Sequence, residues 1–79
     1  MNDGDITWFR LQLTLMRWHL DAARNAATEV VHHYLQRVQS AYEMSEHALN
    51  RCQLTHDERT EVEIELAALS TELELIGSP

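Results

Sequence analysis

Five histidines, one cysteine and thirteen carboxylates are the side chains of this 79-residue chain best suited to chemistry. Glu29 and His32 have the E-x-x-H spacing that sets a carboxylate and an imidazole on one helix face, as in di-iron bundles. Such a centre needs further inward-facing glutamates. Glu43 and His47 stand at i,i+4 but three to four turns further on. His32 and His33 are adjacent, so on a helix they point in different directions and cannot chelate together. A metal is therefore not expected, and a metal-binding bundle is the weakest of the functional readings. Cys52 is the lone cysteine, which excludes an intramolecular disulfide and reads as a reduced thiol. Ser40, Ser45 and Ser70 have no triad context, and no nucleophile motif or phosphate loop is present. Two glycines leave little loop on which to build a site. The residues point to a protein that is not an enzyme, with no cofactor and no small-molecule substrate.

Charge is distributed unevenly. Positions 1–42 hold four acids and four arginines, whereas positions 43–79 hold nine acids and two arginines and so carry the whole net charge of −7. Lysine is absent. Nucleic-acid binding relies on clustered Lys and Arg neutralising phosphates, so nucleic acid is not an expected partner. The acidic, polar start lacks the pattern of a secretory signal, and the expected compartment is the cytoplasm.

The elements that position these residues read as helices throughout. From Asp5 to Gln53 there is neither Gly nor Pro. The segment Ile6–Leu20 holds both tryptophans and the only phenylalanine, with apolar residues on two opposed stripes. One is Ile6, Phe9, Leu13, Met16 and Leu20, and the other is Trp8, Leu11, Leu15 and Trp18. Arg10, Arg17, His19 and Asp21 interrupt the run too early for a membrane span. The chain from about 5 to 53 is expected to form one long helix of ~70 Å, continuous or gently kinked. The alternative is a break near 22–28, where the large apolar residues give out. The apolar stripe continues through Ala27, Val31, Tyr34, Leu35, Val38, Ala41, Tyr42, Ala48, Leu49 and Cys52.

Thr55-His56-Asp57-Glu58 fits a capping box and predicts a fresh helix over about 56–76. Its seam is Val62, Leu66, Leu69, Leu73 and Ile76, with Ile64 and Leu75 on the opposite face. Gly77 and Pro79 are expected to cap and stop it. At the start, Met1 to Gly4 is expected to be disordered or a cap, with Asp3 or Asp5 as N-cap.

The expected fold is all-α: a helical hairpin, dimerising into a helical bundle of coiled-coil character. A hairpin built on a straight first helix would leave Phe9–Leu20 beyond reach of the last helix, which calls for a second chain. One stripe is expected to pack within the chain and the other on the second chain, so the candidate interface is either Trp8, Leu11, Leu15 and Trp18 on one face or Phe9, Leu13 and Met16 on the other. Arg10, Arg17 and Arg24 recur at heptad spacing and face, in this reading, the Glu58, Glu61, Glu65 and Glu72 line of another chain. The function expected is that of a small acidic helical interaction protein: a chaperone, adaptor or inhibitor with a protein partner and a homodimeric form. Bacterial secretion co-chaperones and phage inhibitors include hairpins of this size, an analogy of fold alone. A transcription-related, antitoxin-like or anti-activator regulator is the alternative.

Overall fold

The computed structural model describes residues 3–77. It contains three helices, α1 (Asp3–Asn25), α2 (Thr28–Leu49) and α3 (His56–Gly77), and no strand among the described residues. They form an up-down-up bundle of 44 × 18 × 17 Å, in which α1 packs on both α2 and α3. Among the described residues no helix is long and apolar enough to cross a membrane.

The single long helix is not formed. α1 ends at Asn25, and Ala27 is extended (φ −64°, ψ 150°). The energetics explain why Ala-rich helix propensity loses here. Propensity differences amount to at most about 1 kcal/mol per residue. Folding back buries Ile6, Phe9, Leu13, Met16 and Leu20, worth on the order of 10 kcal/mol for five large apolar side chains. The break falls where only alanines are displaced. Asn25 marks the end of α1 by donating its side-chain amide to the Asp21 carbonyl at 2.9 Å.

The core is a three-sided column. α1 contributes Ile6, Phe9, Leu13, Met16, Leu20 and Ala23; α2 contributes Val38, Ala48 and Leu49; α3 contributes Val62, Leu66 and Leu69. Leu35, Tyr42, Leu73 and Ile76 pack half-buried against it. Among the described residues Ser45 is the one buried polar residue, and its hydroxyl donates to the Ala41 carbonyl one turn back at 2.9 Å.

α2 stops at Leu49, four residues before Gln53, and the turn that follows is anchored on two sides. The Gln53 N–H donates to the Asp5 carboxylate at 3.3 Å, and the Arg59 guanidinium donates to the Leu49 carbonyl. The capping box forms as read: Glu58 N–H donates to Thr55 Oγ1 at 3.1 Å, and Thr55 N–H donates to Glu58 Oε1 at 2.9 Å. α3 runs one residue beyond the expected Ile76, so Gly77 is its last helical residue. Asp3 and Gly4 are already helical. Asp3 and Asp5 both lie within α1, and the Asp5 carboxylate accepts from the distant turn instead of capping the helix. The expectations for Met1, Asn2 and Pro79 lie outside the described residues.

Candidate functional site

The two apolar stripes of α1 meet different fates. Phe9 and Met16 are fully buried and Leu13 nearly so, all within this chain. These three candidate interface residues are therefore core, and the geometric reason for a second chain over Phe9–Leu20 disappears once α1 folds back. The opposite stripe is the one left outside. Leu11 is 55% and Trp18 66% exposed, with Leu15 half-buried between them. Trp8 is half-buried against the core, its ring edge-on to Phe9 at 5.0 Å between centroids.

The arginine line finds its glutamates in the same molecule. Because α1 and α3 run in the same direction, ascending arginines meet ascending glutamates. Arg10 Nε bonds Glu61 Oε2 at 2.9 Å and its Nη2 bonds Glu61 Oε1 at 3.1 Å, a two-pronged contact. Arg17 pairs with Glu65. Arg24 lies 3.6 Å from both Glu72 and Asp21. Glu58 is occupied by the cap of α3. The hydrogen bond from Arg10 holds the Glu61 carboxyl below its ordinary value near 4.5, and Glu61 in turn raises the Arg10 guanidinium. The hydrogen bond to Glu65 likewise raises Arg17. All three pairs are half-exposed, so their contribution is modest and screened by salt. They select the parallel register of α1 on α3 and also neutralise much of the acidic flank.

A shallow groove of about 770 Å³ separates the outer side of α1 from α2, with Gln12, Leu15, His19, Arg37, Ser40 and Met44 among its lining. The His19 and Tyr34 rings meet at its end, 6.2 Å apart. Met44, 55% exposed, extends the apolar surface of Leu11 and Leu15 across to α2. Reading α2 for its buried stripe alone misses Met44. Its i−7 relation to Arg37 on the same outer face is the signal that could have found it. A second groove, about 590 Å³, lies between α2 and α3 beside His32, Tyr42, Glu43 and Glu74.

Glu29 and His32 are both exposed. Among the described residues no three His, Cys, Asp or Glu side chains converge to hold a metal. Cys52 is a free, half-buried thiol in the α2–α3 turn. What the molecule presents is an apolar seam on the side of α1 opposite its buried stripe: Trp8, Leu11, Leu15, Trp18 and Ala22 follow a 3-4-3-4 spacing, with Leu11 and Trp18 exposed and the other three half-buried. No protein-family model matches this chain, and no curated protein or solved structure is significantly similar to it.

Proposed function

We propose that this protein is a small helical interaction module, of the adaptor, chaperone or inhibitor kind, that binds a helix along the outer seam of α1. The observation that carries this reading is the exposure of Leu11 and Trp18, at 55% and 66%, on a seam with coiled-coil spacing. A large exposed aromatic beside leucine and methionine is costly to leave in water and is typical of binding hot spots. The seam already has helix-in-groove form, with anchors at i, i+4 and i+7 and a flanking groove beside α2. A regulator working through an acidic face draws less support, because Glu61, Glu65 and Glu72 already face arginines of α1.

The test compares wild type with a Leu11→Ala, Trp18→Ala double variant as bait in the native host. The variant should keep its helical circular dichroism and lose the proteins that wild type retains. Retention of the same proteins by both baits would remove the seam from the binding function.

A further inference from the structure

Only Ala26 and Ala27 separate α1 from α2. Neither Gly nor Pro stands between Asp5 and Gln53, and Ala22, Ala23, Arg24, Ala26 and Ala27 around the break are all good helix formers. The break is also poorly secured. α2 begins behind Ala27, whose side chain supplies no cap. Alanine is among the poorest N-cap residues, and the first N–H groups of a helix have no partner within it. The chain turns back here because α1 has α2 and α3 to pack against, and nothing in the connector itself demands the turn.

The register of α1 on α2 lets the same packing form between two chains. The two helices are antiparallel, and His19 meets Tyr34 across them with ring centroids 6.2 Å apart. Midway in sequence between that pair lies the Ala26–Ala27 bond, which is the break itself. Two chains straightened through the break and laid antiparallel about that point set α1 of each on α2 of the other, in the register the hairpin already uses. α3 stays on its own α2. The pairs Arg10–Glu61, Arg17–Glu65 and Arg24–Glu72 then reform between chains, as do the core contacts of Phe9, Met16 and Leu20. No new face has to be covered. Only the connector changes, gaining helical hydrogen bonds in place of an uncapped end.

We infer that this protein exchanges α1 between two copies, by straightening α1 and α2 into one helix over 3–49. The inference is independent of the outer seam of α1. Swapping of an identical element needs a connector that accepts both the bent and the straight form, and this one does. The closed monomer is the form at micromolar concentration, because α1 meets its own α2 and α3 at an effective concentration on the order of millimolar. Exchange requires α1 to leave the core, so the two forms interconvert slowly.

Refolding from urea at about 1 mM, followed by size-exclusion chromatography with light scattering, tests the exchange. Wild type should yield a separable dimer beside the monomer. Asn25→Ala with Thr28→Ala improves helix propensity through the break at two exposed positions and should raise the dimer several-fold. Thr28→Pro should abolish it. Proline suits the first position of α2, behind an Ala27 already at ψ 150°, but disfavours a helix running through position 28 by about a hundredfold or more. Spin labels at Gln12→Cys and Ser40→Cys, in a Cys52→Ser background and diluted with unlabelled chains before refolding, read the distance within one chain. These positions line one groove in the closed bundle. In the dimer they should lie ~42 Å apart along a single helix, at 1.5 Å rise per residue. That distance decides the matter whether or not Thr28→Pro folds. A short distance in the dimer would show closed bundles associating side by side and overturn the exchange. So would a dimer that forms equally in a folded Thr28→Pro, and so would the absence of any dimer from refolded wild type.

Discussion

Phe9 and Trp18 are both aromatic residues of one helix, yet they should respond oppositely to truncation. Phe9 is fully buried among α1, α2 and α3, so Phe9→Ala should cost ~3–5 kcal/mol, enough to unfold much of a domain this small. Trp18→Ala should leave stability within about 0.5 kcal/mol, because the ring is mostly in water. Urea denaturation followed by circular dichroism separates the two, and equal losses would place Trp18 in the fold. Trp8 belongs between them, since its edge rests on Phe9. Ser45 offers a third case. Its buried hydroxyl is satisfied only by its own helix, and such back-bonding slightly disfavours a helix. Ser45→Ala should therefore be neutral or mildly stabilising in the same assay.

Among the elements, α3 depends on its cap and on its pairing with α1. Thr55→Ala removes the acceptor for the Glu58 N–H and should cost ~0.5–2 kcal/mol, read as a lower urea midpoint with an unchanged slope. The three arginines act on the packing of α1 against α3 inside one chain. Changing Arg10, Arg17 and Arg24 together to Glu should lower the midpoint, and more at low salt than at high, because like charges would then line both helices. An unchanged midpoint at low salt would leave these pairs without a role in the fold. The Glu61 carboxyl sits below its ordinary value near 4.5 through its bond to Arg10. Its stabilising contribution is complete above that value and is lost as pH falls through the lower, folded value. Glu61→Gln should therefore flatten the acid limb of stability below about pH 4.5 and have its full effect at neutral pH.

At the scale of the molecule, all three helices of one chain contribute to a single core. The expected melting temperature is therefore independent of protein concentration, which scanning calorimetry over about a hundredfold range would check. A rise with concentration that Trp18→Ala removes would instead link folding to association through the outer side of α1, and a rise that Trp18→Ala retains would assign that association to another face.

Local order was written plainly in the amino-acid sequence. The Gly- and Pro-free run, the 3-4 spacing of Val62, Leu66 and Leu69, and the Thr55–Glu58 box are interactions over a turn or two of chain. Each forms the same way whatever packs against it, which is why α3 and its cap were legible to within a residue. The opposition of an arginine line and a glutamate line was also legible, since heptad spacing alone places each on one face. Whether those lines meet within one chain or between two depends on the direction α1 takes after Asn25. Helix propensity in the alanine segment favours continuing by small increments, and burial of Ile6, Phe9, Leu13, Met16 and Leu20 outweighs them only once the whole bundle is assembled. That choice also decides which of the two stripes stays outside. Both are equally apolar by composition, and only tertiary packing spends one on the core and leaves Leu11 and Trp18 in water.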